Sequence, residues 1–364
     1  MTRLRDVVVV GGGPAGLALA AAAAARGLDV TVLERGVPPL DKACGEGVLP
    51  AGLRALETLG VLPLLPPADI ARIREIRWIE PDGIAARLAL PPPGGLGVRR
   101  TALRAALRAR AAALGVEILE GAEVVGHRRE AGAIRAEVAG GAAVPGRVLV
   151  AADGLGSPVR HREGLDRRVA GAPRFGIRQH LAMTPWSDAV EVHFGDGAEA
   201  YVTPAGARRV GIAILFERGE QVRFEALLRR FPALLARVEG APADSVVRGA
   251  GPFARASRAR VADRLVLLGD AAGYVDAVTG EGLSLAFGCA LDLAALLPDA
   301  LARGASTAAL AGYERVWRRR FVPYARWTRL VLGLSRRPAL RRRVLALARA
   351  TPAVFERVVA GVVG

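Results

Sequence analysis

A glycine-rich turn near the start of the chain limits its possible folds more than any other feature. Residues 7–10 are four consecutive valines, an apolar β-branched run suited to a buried parallel strand. Gly11-Gly12-Gly13-Pro14-Ala15-Gly16 follows, then an Ala/Leu-rich stretch over 17–26 with high helix propensity, closed by Gly27. A second apolar run, 30–33, ends at Glu34, 18 residues after Gly16. A lone GxGxxG is weak evidence. One that follows a strand, opens a helix and precedes a spaced acid predicts a dinucleotide-binding βαβ unit.

Each residue type there has a mechanical role. Gly11 permits the tight turn, Gly13 lets backbone approach a pyrophosphate, and Gly16 lets helix and strand pack closely. The helix start offers free N–H groups and the positive end of its dipole to the phosphates. Glu34 is placed to accept hydrogen bonds from a ribose diol, and Arg35 beside it is grouped with the cofactor-binding residues. The same stretch mimics a secretory signal, with Arg3 and Arg5 ahead of an apolar run. The Gly/Pro interruption and the second strand argue against that reading.

Over 364 residues, 52% are apolar, so a sizeable core can form. Cys44 and Cys289 lie far apart and read as free thiols of a reducing, cytoplasmic compartment. No Cys/His cluster has ligand spacing, so no metal site is expected. No uninterrupted 18-residue apolar run is present, so no membrane-spanning helix is expected. The net charge of +16 is unevenly spread. Lys42 is the sole lysine, and residues 312–357 hold 13 arginines against two acids, Glu314 and Glu356, which makes +11 of the total.

The glycine motif alone does not choose between nucleotide cofactors, but two later segments do. Residues 148–152 form a buried run that ends in Asp153-Gly154. Residues 264–268 form another, ending in Gly269-Asp270 and then small residues. A carboxylate at such a strand end can hydrogen-bond a ribityl hydroxyl. Thr279-Gly280-Glu281-Gly282 then opens an apolar helix over 283–297. Its backbone N–H groups can stabilise negative charge on a reduced flavin. Glu281 reads either as a charge near the flavin or as a helix-start acid favoured by the dipole.

In this order and spacing the three motifs resemble FAD-dependent monooxygenases of the aromatic-hydroxylase fold and their relatives, the geranylgeranyl reductases. The resemblance covers roughly residues 5–300. It implies FAD as cofactor and places Asp153-Gly154 near both flavin and incoming NAD(P)H. It places Gly269-Asp270 at the ribitol, with Arg100 contacting the cofactor or remaining a solvated helix-start arginine. Gly273, where hydroxylases commonly carry His, is more like the reductases. So are residues 279–282 and the loop Cys44-Gly45-Glu46-Gly47, which implies a flavin or substrate contact for Cys44. Tyr201-Val202-Thr203-Pro204 keeps the Tyr and Pro of the reductases' Tyr-x-Trp-x-Phe-Pro strand and loses the Trp and Phe. The lysine and Trp-x-Trp-x-Ile-Pro of tryptophan-type flavin halogenases are not visible.

The expected fold class is α/β. It comprises a discontinuous Rossmann-like FAD-binding domain (1–65, 95–165 and 259–300), an inserted β-sheet substrate domain (66–94 and 166–258) and C-terminal basic helices (301–364). Within the inserted domain, strands are expected over 174–182, 189–194, 198–202, 210–216 and 246–253, with a helix over 221–238. His180, His193 and Tyr201 fall on these strands and could hydrogen-bond a phenolic substrate, although each residue type is also common in cores and on surfaces. After the flavin helix, Tyr313, Trp317, Phe321, Tyr324 and Trp327 recur at helical spacing, with a kink expected at Pro323. The surrounding arginines suit a solvated helical cap, a peripheral contact with anionic lipid at the inner face of the membrane, or an acidic partner. Nucleic acid is not expected.

The leading expectation is an NAD(P)H-driven FAD monooxygenase hydroxylating a hydrophobic aromatic or quinol-like small molecule. The alternatives are a geranylgeranyl reductase-type enzyme saturating isoprenoid double bonds, and a non-catalytic flavin-binding partner.

Overall fold

The computed structural model describes residues 3–217 and 223–352. Glu356 and Arg357 of the basic segment, and the first two residues of the helix expected over 221–238, lie outside the described residues.

The valine run forms the strand Arg5–Val10 at the centre of an eight-stranded sheet. Val30–Glu34 and Val144–Ala151 flank it in parallel, with Glu117–Glu120 and Leu265–Leu267 parallel beyond them. Val7, Val8 and Val9 have no exposed surface. Strands buried on both faces need such continuous apolar runs, because helices cover each side of a parallel sheet. The helix Pro14–Ala24 packs on this sheet and against Gly282–Ala302 and Arg100–Ala113. Gly282–Ala302 is long and apolar enough, by length and composition, to cross a membrane. It passes that test despite Asp292 and Asp299, and here it is a core helix whose Phe287, Leu293 and Leu297 are fully buried.

A second sheet of seven strands runs Arg248–Ala250, Arg174–Leu181, Val210–Glu217, Ala198–Pro204, Ala189–Gly195, Glu75–Ile79, Ala85–Ala89. All neighbours are antiparallel except Ala189–Gly195 with Glu75–Ile79. Side chains alternate across its faces. Ala200, Ile212 and Ile214 pack beneath Phe224, Leu227 and Phe231. Val192, Tyr201 and Leu215 turn the other way, toward a large cavity.

Two expectations are corrected. The helix over 221–238 is two, Phe224–Leu228 and Pro232–Val238, because Pro232 cannot donate the hydrogen bond that would carry the first into the second. The strand over 246–253 shrinks to Arg248–Ala250, since Gly251, at φ +137°, and Pro252 leave the ladder. The expected aromatic-bearing helix is present as Thr307–Ser335, with Pro323 inside it. Pro323 and Arg319 both face solvent, so water can satisfy the Arg319 carbonyl that loses its helical partner.

Two buried ionic contacts tie the layers together. Arg174 donates from Nε to Asp276 at 3.0 Å and from Nη2 to Glu199 at 2.7 Å. Burial opposes its charge, but the two carboxylates outweigh this and hold the guanidinium above the usual arginine range. The last helix, Pro338–Ala350, contacts the strand Ala85–Ala89 and is latched by Arg341, which grips both oxygens of buried Glu80 at 2.6 and 2.8 Å. Glu80→Ala would leave Arg341 buried and uncompensated. It is expected to cost about 3–5 kcal/mol of local stability, read as faster amide hydrogen exchange confined largely to Pro338–Ala350. Unchanged exchange there would show that the latch carries no load.

Candidate nucleotide and substrate site

The glycine turn separates packing from access. A Cβ on Gly16 would stand 2.0 Å from the Gly11 carbonyl oxygen, and one on Gly11 would stand 2.4 Å from that of Ala152. Neither can be larger. Gly13, the residue before the first helical turn, has nothing within 4 Å of its Cβ position and faces open cavity. No side chain caps this helix and its first turn holds no acid, so its leading N–H groups are available to an anion.

Glu34 ends the second strand almost fully buried. Its carboxylate accepts hydrogen bonds from Gly12 N at 2.8 Å and Gly36 N at 2.9 Å. A carboxylate has about four acceptor positions, so lone pairs remain for a ribose. The sequence reading missed Arg104. It is buried and donates from Nε to the Gly12 carbonyl at 2.9 Å, propping the turn from behind. The signal was present: Arg104 shares the buried helical stripe of Leu107 and Ala111.

One cavity of about 740 Å³ collects most of the predicted residues: Gly11, Gly13, Glu34, Arg35, Cys44, Gly45, Arg100, Asp153, Gly154, Tyr201, Asp270, Gly280 and Gly282. Gly16, Gly269, His180 and His193 do not reach its wall. Asp153 accepts from Val159 N on one oxygen, while the other, Oδ1, is buried without a partner. Burial pushes its carboxyl above the usual range. Burial does the same at Asp270, against the pull of Arg100 and Lys42. Such an orphaned oxygen and an uncapped helix start on one wall suit a ligand rich in hydroxyls and phosphates. The residues present therefore fit FAD.

The Cys44 loop is fixed by a buried network. Glu46 sits at φ +60°, a strained position for a non-glycine residue. One of its oxygens accepts from Arg100 N at 2.9 Å, and the other meets His180 Nε2. His180 Nδ1 lies 3.0 Å from both Arg178 Nη1 and Ser245 Oγ. His180 is thus enclosed with both ring nitrogens engaged, which corrects its assignment as a substrate-contacting residue. His193 is corrected by strand parity. Val190, Val192 and Phe194 line the cavity, while His193 lies on the opposite face, 3.1 Å from Glu191. Tyr201 reaches the wall, but its hydroxyl donates to the Val278 carbonyl at 2.8 Å and burial pushes its pKa well up. It is a positioned phenol and cannot serve as a base near neutrality.

Beyond the nucleotide half, the cavity becomes an apolar chamber. Ile76, Trp78, Val192 and Phe194 line it with Trp327, Val331 and Leu334 of the long C-terminal helix and Val344 and Leu345 of the last one, and the Arg341 guanidinium lies 3.9 Å over the Phe194 ring.

Glu281 precedes the helix Gly282–Ala302. The helix dipole favours an ionised acid there, yet burial dominates and pushes its carboxyl up to about 7, with Oε2 left unpartnered. Between the ordinary carboxylate range and about 7 the folded chain binds the extra proton, so stability falls as pH rises through that window. Glu281→Gln is expected to flatten this slope, recovering a few kcal/mol at the alkaline end, as read by urea unfolding from about pH 5 to about pH 8. An unchanged slope would place the titration elsewhere. The glycines give a second test. Gly16→Ala is expected to destabilise by about 1–3 kcal/mol or more. Gly13→Ala is expected to leave stability near wild type and weaken FAD at least about tenfold, as read by flavin titration. Equal FAD affinity in Gly13→Ala would contradict a phosphate at this turn.

The chain matches the family model described as FAD binding domain over residues 5–325. It is 30% identical over 303 residues to menaquinone reductase of Mycobacterium tuberculosis strain H37Rv, covering 76% of this chain and 72% of that protein. It is 29% identical to digeranylgeranylglycerophospholipid reductase 1 of Methanopyrus kandleri, covering 87% and 86%. Among solved structures, the flavin-dependent halogenase CmlS superposes with a TM-score of 0.81 at 20% identity, covering 94% of this chain and 68% of that one. At that identity the likeness shows a shared fold alone. Motif, cavity and family model agree, and the chain belongs to the FAD-binding domain family of flavin-dependent oxidoreductases.

Proposed function

We propose that this chain is an FAD-dependent reductase that saturates a double bond in the isoprenoid chain of a lipid, using NAD(P)H or a separate reductase as electron source. The observation that carries this reading is the chamber. Its lining is mainly apolar and continuous with that of the nucleotide trough, which suits a long hydrocarbon chain. The relatives named as menaquinone and digeranylgeranylglycerophospholipid reductases support it. So do the loops around Cys44 and Gly280. Ionising a phenol for hydroxylation would call on a nearby base, and His180, His193 and Tyr201 are each otherwise engaged.

When bound, FAD supplies the hydride chemistry. The chain's residues bind, orient and exclude water. Gly13 and the helix start hold the phosphates. Asp270, with Arg100 and Lys42 nearby, holds the polar chain of the cofactor. Tyr201 and Arg174 fix the loop 276–278 through Val278 and Asp276, and so set where Gly280 and Gly282 stand. Saturating a double bond also consumes a proton. Cys44 Sγ, on the cavity wall 3.9 Å from Arg100 Nη1, is placed to hold one.

The test is turnover of a geranylgeranyl-bearing lipid and of a menaquinone with reduced enzyme, in an anaerobic arm and an aerobic one, followed by mass spectrometry. The expected product gains two hydrogens per double bond. Incorporation of oxygen from dioxygen in the aerobic arm, without hydrogen gain, would return the assignment to hydroxylation. Cys44→Ala is expected to keep FAD and lose about 100-fold in turnover, the low end of general-acid effects. Wild-type turnover in that variant would remove Cys44 from the proton path.

A further inference from the structure

The C-terminal helices have two working faces. Their inner face walls the chamber through Trp327, Val331, Leu334, Val344 and Leu345. Their outer face carries the excess charge. Arg315, Arg319, Val322, Arg326, Arg329 and Leu330 recur every three or four residues on the exposed side of Thr307–Ser335. Neighbouring arginines are neutralised: Arg318 by Glu314, Arg320 by Asp292, Arg336 by Glu217 and Arg342 by Asp82. The stripe is not. Among the described residues, Arg315, Arg319, Arg326, Arg329, Arg337, Arg343 and Arg349 have no carboxylate partner.

Apolar side chains stand between these cations. Leu330 and Leu347 are each 64% exposed and Leu340 is 47% exposed. A solvated cap gains nothing from leucines held in water. An anionic bilayer satisfies both features, because guanidinium groups pair with lipid phosphates while interleaved leucines enter the headgroup–acyl boundary. We propose that the outer face of the last two helices docks on an anionic lipid bilayer. An apolar chamber is thereby set one helix thickness from the membrane surface. The docking rests on the exposed surface and is independent of the reaction proposed above.

The FAD-loaded protein, without substrate or reductant, is sedimented with phosphatidylcholine vesicles and with mixed phosphatidylcholine–phosphatidylglycerol vesicles. Failure of docking is therefore distinguishable from failure of the reductase reading. The expected result is binding to the mixed vesicles and not to the zwitterionic ones, weakened in about 1 M salt. The triple variant R319E/R326E/R329E is expected to lower partition at least about 100-fold. Leu330→Ser with Leu347→Ser is expected to lower it about tenfold or more. A gain-of-signal arm guards against misfolded variants: Leu330→Trp is expected to blue-shift and to be quenched by brominated lipids. Absence of wild-type binding to anionic vesicles would overturn the proposal, as would an unshifted Leu330→Trp spectrum. Full binding by the leucine variant together with competition by polyaspartate would assign the surface to a soluble acidic partner instead, and would equally overturn it.

Discussion

The first helix can approach the first strand only because no atom stands where the Gly16 Cβ would be. That contact, with the Gly11 carbonyl 2.0 Å from the empty position, fixes the depth at which Pro14–Ala24 sits on the sheet. The rest of the nucleotide trough is built outward from it. Gly13 is left facing space, the helix N–H groups point into the cavity, and Glu34 is close enough to tie down Gly12. Arg104 braces the same turn from the far side. A fold with one more methyl group at position 16 would have its trough in a different place.

The second constraint is the joint between the two sheets. Arg174 belongs to the seven-stranded sheet, and Asp276 belongs to the loop that leads into the helix Gly282–Ala302. Glu199 completes a buried cluster with one formal charge in excess on the acidic side. Tyr324 of the long C-terminal helix also donates to the Asp276 backbone carbonyl. One loop is thereby gripped by a strand and by a helix, each from a different part of the sequence. This joint determines the alignment of the apolar chamber with the trough, and a small error here would shift one against the other without altering either half.

How much of this could be read from the residues follows from the range of the interactions. The valine run, the glycine turn and the acid after the second strand act within one βαβ unit, so their placement was legible. The Asp-Gly and Gly-Asp strand ends were legible because a local turn defines each. The catalytic candidates were not. His193 was assigned to a substrate strand, but its face depends on register, and a strand has two faces. His180 was lost to Glu46, a residue 134 positions away whose backbone adopts an unusual conformation that no local pattern announces. The Arg174 cluster gathers partners separated by 25 and 102 residues. Glu281 was correctly placed at a helix start, but its protonation is set by burial, which a single sequence does not display.

The far wall of the chamber is supplied by a helix that adds no strand to either sheet and is held through side chains, chiefly the Arg341–Glu80 latch. Its inward residues, Val344 and Leu345, lie at the apolar end of the cavity, where Leu345 shares one buried cluster with Val192 and Phe194. Depth of the chamber and grip on the cofactor are therefore separable traits. Substitutions in the last two turns can lengthen or shorten the chamber while the nucleotide half stays as it is. The size of ligand that the chamber admits is thus set by a ruler at one end of the molecule.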